Sequence, residues 1–291
     1  MASPTDPANL LPLSGQLVGV GRNSVIHSVH IRDGQVSYHG RCVRSDAVVH
    51  HLVAFGSLIL AFGDDSPAYE LNAALGMLRR VDLAGCRRTV AAYPKHDSAT
   101  GELHLVARDR DGVQTHVVVS AGAFTRRCRP VLDSPTPIAH LALTGDHVVF
   151  FADGFVGVAP REGEARAAWI ETGADAPRPV HAHDAGDSVV LLVLTPALER
   201  WTVQLDDRTI EREVLDPSSR RFAGEVDGGR LLELVDDPQS LTTDLCLVDA
   251  ADIAAPAMST ARFVRPIPLD LDCTWIPSTP NYSSSPKENK S

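Results

Sequence analysis

The densest group of chemically capable side chains is the run His181-Ala182-His183-Asp184. If this run forms a β-strand, His181 and His183 point to the same side, because successive side chains alternate between the two faces of a strand. Two neighbouring imidazoles are part of a ligand set for iron or zinc, and the remaining ligands would have to come from other strands. The sequence has no phosphate loop, no dinucleotide fingerprint and no G-x-S-x-G elbow, so nucleotide binding and that class of hydrolase have no support.

Short β-strands are the elements available to position these residues. Runs of β-branched and other apolar residues recur through the chain, and turn pairs such as Asp111-Gly112 and Asp153-Gly154 lie between or beside them. The predicted strands include 18–20, 25–31, 35–43, 47–62, 103–109, 115–120, 138–144, 147–151, 189–194, 200–204 and 230–235. Many short strands with frequent turns predict an all-β sandwich, barrel or propeller. The one helix candidate, 70–81, is weakened by Gly76 and by its turn-like flanks.

Composition and charge exclude several classes of partner. The 291 residues include 27 basic and 37 acidic side chains, a formal net charge of −10 without a basic stripe, which predicts no nucleic-acid partner and no docking on anionic lipid. The longest apolar stretch, 51–63, is broken by Gly56 and Ser57 and is too short to span a bilayer, so we expect no integral membrane segment. The five cysteines are far apart and form no CxxC pair, which predicts reduced thiols in a cytoplasmic protein.

The two ends of the chain differ from its middle. Residues 1–14 contain three prolines and residues 278–291 are polar, so we expect both ends to be disordered and a single domain to span 15–277.

Seven segments lie in order between about residue 20 and residue 277: 26–45, 67–72, 92–105, 138–151, 169–191, 198–201 and 267–277. One of them contains AYPKHDSATGELHL and another contains IAHLALTGDHVVFF. In this order the segments resemble motifs of the carotenoid cleavage oxygenase (retinal pigment epithelial membrane protein-like) family, whose motifs corresponding to these two read AHPKxDPxTGELHF and MHDFAITxxYVVFF. The resemblance implies a β-propeller, with seven blades in the family and a count that this shorter chain could reduce. It also implies carotenoid, apocarotenoid or stilbene substrates.

The family holds a ferrous ion on the propeller axis with four histidines, one from each of four motifs. The positions that correspond here are Tyr93, His140, Arg178 and Asp272, so the resemblance implies a divergent member that lacks three of the four ligands. Arginine is a permanent cation with no lone pair to donate, and tyrosine binds iron only as phenolate. We therefore expect no iron centre of the family's kind and no other cofactor.

Two further positions follow from the resemblance. Glu70 matches one of the carboxylates that orient the family's ligands, whereas the segment resembling EFPR, 221–224, has lost its acid. Counted back from Gly186, His181 and His183 fall on positions that are not ligands in the family.

We expect an enzyme that binds an extended apolar substrate, a polyene, apocarotenoid or polyketide, in a specialised-metabolite pathway. The site residues are Tyr93, His140, Arg178 and Asp272, with Glu70 behind them. A phenol, an imidazole, a fixed cation and a carboxylate on one cavity suit metal-free acid–base chemistry, so the expected reaction is a redox-neutral cyclisation or isomerisation.

Three alternatives remain open at this point. The first is an Fe2+-dependent oxygenase that cleaves a C=C bond with a ligand set drawn from His140, His181, His183 and Asp272. The second is a polyene-binding protein without catalysis. The third is that the altered axis is only a structural plug, in which Arg178 and Asp272 satisfy each other's charge.

Overall fold

The structure is a computed structural model, and it describes residues 13–21, 25–32, 35–42, 49–63, 67–72, 74–83, 89–90, 93–120, 125–130, 134–163, 166–175, 177–216, 221–227, 229–264, 266–267 and 273–278. Within these residues, 25 β-strands form six antiparallel sheets. In each sheet, most strands pair with the strand that comes next in the chain. Each sheet is one blade of a β-propeller.

The strands of the first three blades come from the C-terminal strand and the first part of the chain. Blade 1 contains β25 (Cys273–Pro277), β1 (Gly15–Gly21), β2 (Val25–Arg32) and β3 (Gln35–Cys42). Blade 2 contains β4 (His51–Phe55), β5 (Leu58–Phe62), β6 (Ala68–Leu71) and β7 (Met77–Val81). Blade 3 contains β8 (Thr89–Val90), β9 (Lys95–Asp97), β10 (Glu102–Arg108), β11 (Gln114–Ser120) and β12 (Thr125–Pro130).

The other three blades follow in chain order. Blade 4 contains β13 (Ile138–Leu143), β14 (His147–Ala152), β15 (Phe155–Pro160) and β16 (Ala168–Glu171). Blade 5 contains β17 (Arg178–Ala185), β18 (Ser188–Leu194), β19 (Leu198–Gln204) and β20 (Thr209–Asp216). Blade 6 contains β21 (Arg221–Asp227), β22 (Arg230–Asp237), β23 (Thr242–Asp249) and β24 (Ser259–Phe263).

The innermost strands form a closed ring around the axis. Each contacts the next in the order β25, β4, β9, β13, β17 and β21, and β21 contacts β25 again. The ring closes because β25 pairs with β1, with Trp275 opposite Leu17. The C-terminal strand thus completes the blade that the first three strands begin, and closure leaves few exposed sheet edges.

The hydrophobic core is divided among the six gaps between neighbouring blades, with one apolar cluster in each gap. The middle strand β14 shows why its sequence is continuously apolar. Val148 and Phe150 pack towards blade 3, whereas Val149 and Phe151 pack towards blade 5. Because successive side chains point to opposite faces and both faces are covered, the strand needs apolar residues at every position.

The all-β propeller predicted from the sequence is confirmed, with six blades. The helix candidate 70–81 instead supplies parts of β6 and β7. The apolar stretch 51–63 contains β4 and β5, which are joined at Gly56 and Ser57, and no helix in the described part of the chain is long and apolar enough to cross a membrane. Residues 1–12 and 279–291 lie outside the described residues, so the disorder expected at both ends stays a prediction.

Candidate functional site

Tyr93 and His140 meet at the inner edge of the propeller. Tyr93 lies just before β9 in blade 3, and His140 lies on β13 in blade 4. Their rings are stacked, with 4.6 Å between centroids and 17° between planes. The Tyr93 N–H donates to the carbonyl of Ala139 at 3.2 Å, which fixes the two strand segments side by side. The structure therefore brings together two of the residues that the sequence assigned to one cavity.

His51 extends this stack to a third blade. It lies at the start of β4 and is buried, with its ring edge-on to Tyr93 at a centroid distance of 5.0 Å. Its Nε2 is 3.3 Å from the carbonyl oxygen of Pro94, so Nε2 carries the proton in this arrangement. His51 begins the apolar stretch 51–63, to which the sequence assigned no site residue, and only its place at the start of an innermost strand could have indicated a role at the axis.

A β-bulge occurs at the same place in three successive innermost strands, β13, β17 and β21. One residue of each strand is left unpaired there, and the next residue resumes the pairing. The unpaired residues are Ala139, Val180 and Ala223, and the residues after them are His140, His181 and Gly224. In the geometry of the propeller, His181 is therefore the residue of β17 that corresponds to His140.

The family motif that resembles the β13 region can also be compared with it residue by residue. Aligned without a gap, MHDFAITxxYVVFF places its histidine opposite Ala139, one residue before His140. Ala139 is exposed, whereas His140 is half-buried against Tyr93.

The other expected site residues lie elsewhere or outside the described residues. Arg178 is half-buried at the start of β17, opposite Leu194 and three residues before His181. Glu70 lies on β6, which β5 separates from the innermost strand of its blade, and it accepts a hydrogen bond from Arg79 at 2.7 Å. Asp272 lies outside the described residues, so its expected position beside His140 stays a prediction.

A second polar group lies on the side of the axis formed by blades 5 and 6. His181 Nδ1 is 3.3 Å from Glu225 Oε1, and His183 on the same strand has its ring 5.6 Å from that of His181. Burial alone would raise the pKa of Glu225, but the adjacent His181 imidazole, the Gly229 backbone N–H and the charge of Lys95 together lower that pKa below its usual value. Glu225 therefore remains ionised beside the imidazole.

These residues do not fit the iron centre that the resemblance implies. Tyr93 presents its ring face to His140, and Arg178 has no lone pair to donate. Among the described residues, no three histidine, cysteine or acidic side chains are arranged so that they could hold a metal ion. These side chains therefore support no catalytic step that depends on a bound metal.

No protein-family model matches the chain, and no curated protein matches it. Solved structures do resemble it. A variant of the Synechocystis apocarotenoid oxygenase has a TM-score of 0.63 at 13% identity, with 91% of this chain and 93% of that chain covered. An ACO/RPE65 chimera has a TM-score of 0.61 at 13% identity, with the same coverage. At this level of identity the likeness shows the fold alone, which is that of a carotenoid-oxygenase-like β-propeller.

Proposed function

We propose that this propeller binds an extended, apolar, conjugated substrate and catalyses its redox-neutral isomerisation or cyclisation without a metal. The fold supports a substrate related to polyenes, because the solved structures that resemble it include an apocarotenoid oxygenase. The observation that carries the proposal is the stack of Tyr93 on His140, because it holds a phenol and an imidazole together at the inner edge of the propeller.

Each of the expected site residues has a role in this proposal. His140 moves a proton, because an imidazole can accept a proton on one ring nitrogen and donate one from the other. Tyr93 donates a hydrogen bond to a substrate carbonyl, and Arg178 holds an enolate or carboxylate. Asp272 orients His140. Glu70 holds β6 to the neighbouring strand β7 through its hydrogen bond with Arg79. A donor of this kind typically contributes about 3–4 kcal/mol to lowering a barrier.

In this proposal, positioning of the substrate also lowers the barrier. A flexible polyene or polyketide that is held in one reactive conformer has already lost most of its conformational entropy before the reaction. Such positioning can lower the barrier by roughly 7–11 kcal/mol at its upper limit. We place this activity in a cytoplasmic specialised-metabolite pathway.

The test is a set of single variants assayed on linear conjugated precursors: Tyr93→Phe, His140→Ala, Arg178→Ala and Asp272→Asn. We expect a product of the same mass as the substrate and a reduced turnover in each variant. Tyr69→Phe is the matched control for Tyr93→Phe, because Tyr69 lies on β6, away from the axis.

Three results would overturn the proposal. Full turnover in all four variants would mean that the axis is only a structural plug. Product that has gained oxygen atoms would favour the iron-dependent oxygenase. Tight binding of polyenes without any turnover would favour a binding protein.

A further inference from the structure

The innermost strand of blade 3 is interrupted where Tyr93 lies. β8 pairs with β10 as far as Val90, which is opposite Ala107. The pairing resumes in β9 at Lys95, which is opposite His104. Between these two points the chain has four residues, whereas β10 has only two. Regular pairing within blade 3 therefore cannot fix the position of Tyr93, and groups outside that sheet have to set it.

The two neighbouring blades hold the backbone at this break. Tyr93 forms an isolated parallel bridge with His140 of blade 4, in which the Tyr93 N–H donates to the Ala139 carbonyl at 3.2 Å. From blade 2, His51 Nε2 donates to the carbonyl of Pro94, the next residue, at 3.3 Å. Two consecutive residues of the break are thus tied to different blades.

The phenol ring of Tyr93 is held by the same two blades. It stacks on His140 of blade 4 with 4.6 Å between centroids, and it meets the ring of His51 from blade 2 at 5.0 Å and 79°. Stacked and edge-to-face arrangements are the ones that aromatic rings favour. His51 is only 5% exposed, whereas Tyr93 and His140 are both half-buried. A substrate at the axis would therefore contact the phenol and not His51.

The strand that carries His51 is otherwise apolar where it is buried. Its other buried side chains are Leu52, Val53 and Phe55. Burying a polar group costs free energy unless that group is hydrogen-bonded, and an apolar side chain would incur no such cost. The imidazole is therefore best explained by the group that it holds, which is the carbonyl next to Tyr93.

We propose that His51 is a positioning residue for Tyr93. This inference rests on the proposed function, in which the Tyr93 phenol donates a hydrogen bond to a substrate carbonyl. By holding the Pro94 carbonyl and the edge of the phenol, His51 keeps Tyr93 stacked on His140, so that both groups meet the substrate in one geometry. A misplacement of about 1 Å can cost about 100-fold in rate, so a residue that does not touch the substrate can control turnover.

The first test measures the position of Tyr93 without any substrate. The full chain is labelled with fluorotyrosine and isotope-labelled histidine, and NMR records the nuclear Overhauser effect between the Tyr93 and His140 rings. Tyr93→Phe and His140→Ala assign the two signals. We expect a strong effect in the wild type and its loss in His51→Phe, which keeps an aromatic ring without a donor. The effect should return in His51→Gln, whose amide can donate to the same carbonyl.

Two further variants complete this test. His50→Phe is the matched control, because it makes the same change one residue earlier, and it should leave the effect as it is in the wild type. His51→Leu is a second variant without a donor, and it takes the place of His51→Phe if circular dichroism shows that His51→Phe is unfolded. An unchanged effect in the folded variant without a donor overturns the inference, and so does an equal loss in His51→Gln.

The second test measures turnover of linear conjugated carbonyl compounds, beginning with all-trans-retinal. We expect kcat to fall by up to about 100-fold in His51→Phe, with KM little changed, and no further fall when His51→Phe is added to Tyr93→Phe. A residue that only stabilises the fold would lower turnover in both backgrounds, and that result overturns the inference while the proposed function stands. If the wild type converts none of the compounds while the NMR result holds, the proposed function is overturned and the placement of Tyr93 by His51 survives.

Discussion

The His104 Nδ1 atom lies 3.1 Å from the Nε2 atom of His116, and both rings are almost completely buried. The two residues lie on β10 and β11, and the ring of His116 meets that of Phe150 in blade 4 edge-on. Burial, with the charges of Arg161 and other arginines, lowers the pKa of His104 to about 4. Burial and the charge of His104 lower the pKa of His116 to about 3. The folded protein therefore holds both imidazoles neutral.

This pair predicts that the fold loses stability in mild acid. Between pH 6.5 and about 4, the unfolded chain takes up protons on these histidines and the folded chain does not. The free energy of unfolding should then fall by up to about 1.4 kcal/mol per pH unit for each histidine. Urea unfolding at pH 7.5, 6.0 and 5.0 measures the effect. The double variant His104→Gln/His116→Gln should flatten the slope, while His39→Gln, at an exposed site, should not. An unchanged slope in the double variant would contradict this account.

A second stability prediction concerns Asp184, at the end of β17. Its carboxylate accepts hydrogen bonds from the Thr144 hydroxyl at 2.7 Å, the Asp146 N–H at 2.8 Å and His147 Nδ1 at 2.7 Å. Burial opposes ionisation, but these three bonds outweigh it and lower the pKa of Asp184. Asp184→Ala leaves three donors of blade 4 without their acceptor and should cost about 1–3 kcal/mol of unfolding free energy.

The control for Asp184→Ala is Asp187→Ala, an exposed residue of the same hairpin. Chemical denaturation of the two variants at pH 7 makes the comparison. If both lose the same stability, the bonds between blades 4 and 5 contribute nothing specific.

Closure of the ring depends on Gly15 in β1. A Cβ at this position would overlap the Trp275 ring and would lie 2.6 Å from the carbonyl oxygen of Ile276. Gly15→Ala forces β1 and β25 apart, and overpacking of this kind typically costs about 1–3 kcal/mol. Gly40→Ala is the matched control, because the nearest atom to its Cβ would be the Tyr38 hydroxyl at 3.4 Å. Thermal unfolding should show a lower midpoint for Gly15→Ala alone, and equal midpoints would contradict the steric argument.

The sequence predicts the class of fold and one contact of the site well. Ordered motifs and frequent turns predicted the propeller. The resemblance assigned Tyr93 and His140 to one cavity, and their rings are stacked in the structure. It does not predict which residue of β17 matches His140, because the resemblance picks out Arg178. In the hairpin register the match is His181, which follows a bulge as His140 does. A bulge adds one residue to a strand without a distinctive residue type, so it cannot be located by counting.

Contacts between neighbouring blades are also invisible in the sequence. His51 and Tyr93 are 42 positions apart in the chain, and His181 and Glu225 are 44 apart. Only the order of the innermost strands around the axis makes them neighbours. Glu70 shows the reverse case, since its motif is present but β6 lies two strands out from the axis.

The last prediction concerns iron. The purified protein, expressed with added ferrous iron, should contain far less than one iron per chain by elemental analysis. The reason is chemical: Tyr93 and Arg178 stand where the family's motifs have imidazoles, Tyr93 covers one face of His140, and an arginine near the axis repels a divalent cation. His140→Ala is measured beside the wild type, and the two should give the same low content. One iron per wild-type chain that is lost in His140→Ala would instead favour a ligand set built from His140, His181 or His183, and Asp272. The oxygenase would then replace the isomerase or cyclase as the function of this propeller.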